Sequence, residues 1–214
     1  MTRLERKLLA SLWKADADFG LLKPPILLGF SGGKDSWALH HLLDLADIPH
    51  QLAHVVPNGG ISDEEKEWIE FLQNYFSEKI TIIKYDIFSL LKGNRKDCFT
   101  CSRKRRQLLL ETAQEQKISN IALAHHRQDV VETFFLNVFF SRELSTMMPK
   151  QPVFAGHFNW VRPLYYIDEA DIERLQKEKK FRIKTFSCPV EISVSRRQWI
   201  KKKLAELQQE NSGI

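Results

Sequence analysis

The sequence predicts an α/β fold in which a mostly parallel sheet carries helices on both faces. Three observations lead there. Short apolar runs alternate repeatedly with amphipathic stretches, a glycine pair stands where the first such run meets a helix, and turn residues separate the units. With 214 residues, 43% hydrophobic and 28% charged, the chain suits one well-buried core with an appended element. No apolar run approaches the ~20 residues needed to cross a bilayer, so we expect no membrane span. The start, Met1-Thr2-Arg3-Leu4-Glu5-Arg6-Lys7, mixes acids and bases and lacks the pattern of a secretory signal, so it is expected to belong to the fold.

Taken in order, Leu4, Leu8, Leu12 and Ala15 fall at helical spacing and predict an opening helix over about residues 2–18, closed off by Pro24-Pro25. The apolar run 26–30 then reads as a buried strand. Trp37, Leu39, Leu42, Leu43 and Leu45 predict a helix after the glycines, and residues 51–56 a second strand ending at the turn Pro57-Asn58-Gly59-Gly60. Ser62-Asp63-Glu64-Glu65 has the form of a capping box, predicting a helix to about residue 77 and a third strand over 79–85. A basic helix over about 100–116, a strand over 120–124 and a helix over 128–140 continue the alternation. The rest is less regular: a loop rich in Met, Pro and Gly, a strand near 158–161, a helix over 168–180 and a closing basic helix from about 194.

Ser31-Gly32-Gly33-Lys34-Asp35-Ser36 sits where the first strand meets the first helix after it. A glycine-rich turn entering a helix beyond a strand's carboxyl end aims several backbone N–H groups at one place, which suits phosphate. Ser31, Lys34 and Ser36 add donors and one positive charge. Asp35 would repel polyphosphate unless a divalent cation sits between them, so its presence points to Mg²⁺ accompanying ATP. The simpler alternative is a tight turn with Asp35 helping to cap the helix. The loop is not the GxxxxGK[ST] form used to transfer a terminal phosphoryl group, so a different cleavage of ATP is expected.

Three cysteines cannot all pair within one chain, and Cys98 and Cys101 stand at CxxC spacing, so a reducing, cytoplasmic setting is expected. With the distant Cys188 they are compatible with three outcomes. One is a [4Fe-4S] cluster with one iron open to an exogenous ligand such as sulfide; another is zinc with His125, His126 or water as fourth ligand; the third is a redox pair plus a buried thiol. The net charge of +5 permits an anionic partner.

The SGGKDS loop resembles the PP-loop of the ATP pyrophosphatases. These Rossmann-like proteins, also described as adenine nucleotide alpha hydrolase-like, cleave ATP between its α- and β-phosphates and leave AMP on the substrate. The order SGGKDS, Cys-x-x-Cys-Ser-Arg-x-Arg-Arg from Cys98, Ala124-His125-His126-Arg127-Gln128-Asp129-Val130-Val131-Glu132-Thr133, Met148-Pro149-Lys150 and Val161-Arg162-Pro163-Leu164 is similar to that of the tRNA 2-thiocytidine synthetase family. The resemblance covers nearly the whole chain. It implies a single PP-loop domain over 1–214, with the N-terminal helix and a C-terminal helical extension from about 165. It implies ATP bound by Ser31, Gly32, Gly33, Lys34, Asp35, Ser36 and His126; Mg²⁺ on Asp35; a [4Fe-4S] cluster on Cys98, Cys101 and Cys188; and catalytic roles for Lys34, Asp35 and Asp129.

Two positions depart from the family pattern. Gln128 replaces the first of two adjacent acids, leaving Asp129 as the acid near nucleotide and metal, with helix capping alongside Glu132 as its alternative role. Glu191 stands where a further cysteine is usual, so a second CxxC is absent.

The family chemistry implies that a base carbonyl is adenylated, pyrophosphate leaves, and sulfur replaces the oxygen. Its partners are tRNA, a sulfur donor (a cysteine desulfurase or free sulfide) and a second copy of the chain. For RNA contact the basic candidates are Arg103, Lys104, Arg105, Arg106, Arg196 and Arg197, with Lys201, Lys202 and Lys203 behind them. The competing readings are a PP-loop enzyme adenylating a small molecule, and an ATP- and RNA-binding module without turnover.

Overall fold

The computed structural model describes residues 1–57, 62–86, 98–184 and 196–210, with the backbone alone at 57, 98 and 99. The expected turn at Asn58-Gly59-Gly60, together with Cys188, Glu191 and the expected start of the last helix, lies outside these residues. The chain opens on helix α1 (Arg3–Phe19), whose Thr2 hydroxyl accepts the Glu5 N–H while the Glu5 carboxylate accepts the Thr2 N–H, a reciprocal cap at its start. Leu8, Leu12 and Ala15 are buried, as their spacing predicts, and Gly20 ends the helix in the left-handed conformation.

Strand β1 (Ile26–Gly29) lies at the middle of the sheet, parallel to β2 (His50–Pro57) on one side and to β4 (Asn120–Ala122) on the other. Strand β3 (Ile80–Tyr85) pairs in parallel with β2 at one edge. Beyond β4 come β6 (Phe158–Val161), parallel, and β5 (Lys150–Val153), antiparallel, giving the order β3-β2-β1-β4-β6-β5. The sequence reading placed a loop where β5 forms. Its Pro152 cannot donate to a ladder, which confines such a segment to a sheet edge and hides its strand character from pattern reading.

Because side chains alternate across a strand, the sheet feeds two cores. Ile26, Leu28, Leu52, Ala122 and Val161 point to the larger one, shared with α1, α2 (Lys34–Leu45) and α3 (Asp63–Phe76). Leu27, Ala53, Ile121 and Trp160 point to the other, closed by Leu109 and Ala113 of α4 (Cys98–Glu115). Helix α4 starts two residues earlier than the sequence reading placed it, so both cysteines of the CxxC fall in its first turns. Helix α5 (Arg127–Leu136) ends sooner than expected and passes into a wider helical turn at Asn137–Ser141. Helices α6 (Glu169–Lys179) and α7 (Arg196–Glu210) complete the described chain.

The chain leaves β1 toward β2 on one side and returns as β4 on the other. The crevice beyond the carboxyl ends of β1 and β4 is therefore a topological switch point, the usual place for a ligand in an open α/β sheet. Two of the motifs singled out in the sequence, Ser31-Gly32-Gly33 and His125-His126, follow directly on these strands.

Candidate active site

The loop after β1 is held by its own hydroxyls. Ser36 Oγ accepts the Gly32 N–H at 3.1 Å and donates to the Gly33 carbonyl at 2.9 Å, while Ser31 Oγ accepts the Gly33 N–H at 3.3 Å. Gly32 has φ +83°, and a Cβ there would stand 2.7 Å from Trp68 Cζ2 of α3, so both the turn and its packing require glycine. Gly33 is the N-cap of α2 and no side chain caps that end, so Asp35 is not the helix cap of the simpler reading. Its carboxylate instead accepts from Lys34 Nζ at 2.9 Å.

A cleft of about 330 Å³ opens over this loop. Its walls combine Ser31, Asp35, His125 and Asp129 with Arg105 and Arg106 of α4, over an apolar floor that includes Ala53 and Leu109. Burial pushes the His125 imidazole down to about 4, with nearby arginines adding to the effect against the pull of Asp129, so the ring is neutral near pH 7. The Nδ1 atoms of His125 and His126 are buried and have no hydrogen-bond partner among the described residues. Asp129 accepts the His126 N–H at 2.9 Å, closing the start of α5; its capping partner is thus His126, not Glu132. His126 Nε2 lies 3.5 Å from Asp129 Oδ2 and 3.9 Å from Asp35 Oδ1, so two carboxylates from different strand ends converge on one ring.

On the far side of these two acids lies a second hollow of about 220 Å³, lined by Lys34, Glu132, Glu169, Arg197 and Lys201 as well. Arg197 reaches both Asp129 and Glu132, its Nε standing 2.8 Å from the latter. Lys34 Nζ and Lys201 Nζ both bind Glu169, at 3.0 Å each. Burial works against the Lys34 ammonium, but Asp35 and Glu169 outweigh it and raise its pKa above the ordinary value. Glu169 shows the mirror case: burial opposes its charge, and Lys201 and Lys34 hold its pKa below the usual range.

The structure thus brings Ser31, Asp35, Asp129, Arg105 and Arg106 to one cleft, with Lys34 and His126 lining the hollow behind its two acids. Arg103 is exposed on α4, while Arg196 lies over the Phe140 ring at 4.9 Å. Arg197, expected on an RNA-facing surface, is engaged with the two acids. Glu169 was not singled out in the sequence: at the first turn of a helix an acid already has a sufficient explanation, and Lys34 lies 135 residues away. Gln128 also acquires a role. Its amide donates to Asp168 Oδ1 at 3.0 Å and accepts the Glu169 N–H at 2.8 Å, tying the starts of α5 and α6 together where a second acid would meet Asp168 with like charge.

Residues 2–207 match the PP-loop domain family. The chain is 33% identical to a tRNA-cytidine(32) 2-sulfurtransferase of Geobacter sulfurreducens, across 98% of this chain and 86% of that one. The chain belongs to the tRNA 2-thiocytidine synthetase branch of the PP-loop family. A second relative of the same description, from Cupriavidus necator, is 30% identical over 97% of this chain and 68% of its own length. Among solved structures, the U34-tRNA thiolase NcsA of Methanococcus maripaludis, determined with its [4Fe-4S] cluster, superposes with a TM-score of 0.75 at 20% identity, covering 98% of this chain and 74% of that one. That likeness is one of fold, and it agrees with the mostly parallel α/β sheet seen here.

Membership sets a test for the groups that the family implies. Cys98 and Cys101 both fall in the first turns of α4. The Cys101 thiol is free and half-buried, 3.1 Å from the Tyr85 hydroxyl, and Ser102 beside it lines the cleft. Burial and this contact push the Tyr85 phenol up to about 12. Lys184 donates its backbone N–H to the Gly32 carbonyl at 3.1 Å, tying the end of that described segment to the phosphate loop, and Cys188 lies outside the described residues. Among the described residues, the free Cys101 thiol beside the cleft suits a thiolate ligand to a cluster. Asp35 and Asp129, converging on His126, fit a hard divalent cation that takes oxygen ligands.

Proposed function

We propose that this protein is an ATP-dependent tRNA thiolase of the cytidine 2-sulfurtransferase type, working in the cytoplasm. The observation that carries the reading is a single crevice holding the phosphate loop, two convergent carboxylates and the arginines that follow a CxxC. A cytosine carbonyl oxygen is a poor leaving group. In the proposed reaction it attacks the α-phosphate of ATP, the bond to the β-phosphate breaks, and pyrophosphate departs against the backbone amides of Ser31 to Gly33. A sulfur nucleophile then adds to the activated carbon, and AMP leaves with the original oxygen.

Lys34 supplies the ammonium that stabilises charge on the departing phosphates, an electrostatic rather than a proton-transfer role. A magnesium ion held by Asp35, with Asp129 beside it, would neutralise the phosphates further. Neutral His125 presents a ring nitrogen to the nucleotide without adding charge, and the His126 ring stands beside the two carboxylates. Cys98, Cys101 and Cys188 would hold a [4Fe-4S] cluster, which supplies an iron site for the sulfur to be transferred. Arg103, Lys104, Arg105 and Arg106 run along α4 from the cysteines and would track the tRNA backbone. The sulfur donor is a cysteine desulfurase or free sulfide. Two chains form the working unit, and the exposed rings of Phe139, Phe140 and Trp199 offer an apolar face for that pairing.

Mass spectrometry of tRNA nucleosides tests this. A strain lacking the protein should lose one thiolated nucleoside, and purified protein given ATP, sulfide and that tRNA should restore it with release of AMP and pyrophosphate. Formation of ADP, or an unchanged nucleoside profile, would overturn the assignment.

A further inference from the structure

Helix α2 has the phosphate loop at one end and a second cluster of polar side chains at the other, about 15 Å further along the axis. There His40 and Asp44 are one helical turn apart, and His50 opens the neighbouring strand β2. One ligand atom from each lies within 4.8 Å of the others. The protons of this group can be assigned from its contacts. His50 Nδ1 is 2.8 Å from the Ile48 carbonyl, which only accepts, so His50 carries its hydrogen there and its Nε2 is a bare lone pair. His40 Nδ1 lies 2.9 Å from that lone pair and must therefore be the donor. His40 Nε2 is then bare as well, and it stands 3.2 Å from Asp44 Oδ2, lone pair against carboxylate.

That contact is resolved by a third proton or by a metal ion. Burial opposes the proton, because both rings are buried and a charged imidazole there would lose its hydration. Two ligands at the ~2.0–2.2 Å distances of tetrahedral zinc stand roughly 3.4 Å apart, close to the separation found here. We propose that His40 Nε2 and the Asp44 carboxylate form a binding site for a divalent transition metal of the zinc class, with His50 as the positioning residue that fixes the His40 tautomer. This is the arrangement metal-binding imidazoles usually have, the second ring nitrogen donating to a fixed acceptor. Asp44 is half-exposed, so water can complete the coordination. Lys79 Nζ, 2.8 Å from Asp44 Oδ1, is the built-in cation with which the metal competes. The ion would brace the last turns of α2, tied through the His40–His50 contact to the start of β2, at the end of the helix remote from the phosphate loop.

Cobalt(II) titrated into the anaerobically purified protein tests the site, because nitrogen and oxygen ligands give visible d–d bands without the strong sulfur-to-cobalt charge transfer of thiolates. One equivalent with the nitrogen and oxygen signature is expected, displaced by zinc. Asp44→Asn and His40→Leu should each lose it, and Lys79→Met should tighten it. His50→Leu should weaken it about 10- to 100-fold. The same variant should scramble the His40 tautomer in ¹⁵N imidazole spectra, which His50→Gln, still an acceptor, should preserve. Binding through thiolates alone, full retention in Asp44→Asn, or a metal-free His40 protonated on Nε2 would each overturn the proposal.

Discussion

Asp35 and Asp129 have a cleft on one side and a charge cluster on the other, and the two sides are built on different principles. Toward the cleft, the acids share the wall with apolar side chains, a neutral His125 and the arginines of α4. Toward α7, each carboxylate meets a cation of the chain itself: Arg197 for Asp129 and Glu132, Lys34 and Lys201 for Glu169. The difference teaches what a charge can do in each place. A carboxylate paired inside the fold is a fastener linking α2, α5, α6 and α7. The same group facing an open space with donors around it is available to a ligand and its metal.

The largest expected effect comes from the charged residues of the phosphate loop, Lys34 on the cluster side and Asp35 on both. Lys34→Ala removes the one ammonium of the phosphate loop, and loss of a single preorganised group of this kind costs on the order of 10² to 10³ in turnover. Pyrophosphate release should fall by that much while the brown absorbance of the proposed cluster is kept. Asp35→Asn should behave alike, whereas loss of pyrophosphate release together with the absorbance would contradict a division between nucleotide and cluster residues.

How far the site could be read from sequence follows the same division. The cleft side was legible because its residues come in contiguous motifs, each tied to a strand end by a local rule: SGG after β1, His125-His126 after β4, CxxC opening α4. The fastening side was not, because Lys34 with Glu169 and Asp129 with Arg197 are partners brought together by the sheet order alone. In the fold itself, amphipathic helices and apolar strands announced themselves by period. The edge strand β5 did not, since Pro152 and its exposed neighbours carry no alternation to detect.

Next in size is Gly32→Ala. A left-handed backbone costs an L-residue roughly 1–2 kcal/mol, and crowding against Trp68 adds roughly 1–3 kcal/mol. A fall of several degrees in Tm is expected, and the double variant with Trp68→Phe should recover the crowding part but not the backbone part. Recovery of the whole loss would show that the positive φ is not required.

Smaller still, and aimed at the contrast between the sides, is the pair Arg106→Ala and Arg197→Ala. If the cleft-side arginine meets RNA phosphate, its loss weakens tRNA binding and lowers the salt slope by about one. Arg197 is already matched to Asp129 and Glu132, so its removal should leave that slope unchanged while reducing turnover. Equal slopes for both variants would erase the distinction.

The smallest effect concerns the packing behind the phosphate loop. His54 of β2 is buried there with Nδ1 2.7 Å from the Phe30 carbonyl, and burial lowers its pKa to about 4 in spite of that bond. In the unfolded chain the ring titrates near its ordinary ~6.5. As pH falls between these values the unfolded state binds the proton first, so the histidine's contribution is complete above about 6.5 and is lost progressively down to about 4. At most this is about 1.4 kcal/mol per pH unit for one proton. Urea unfolding at pH 7 and pH 5 should therefore show a stability difference that shrinks in His54→Leu, whatever that substitution does to the absolute value. An unchanged difference would mean that the ring titrates in the native state as it does in the unfolded chain, so that burial behind the phosphate loop does not hold it neutral.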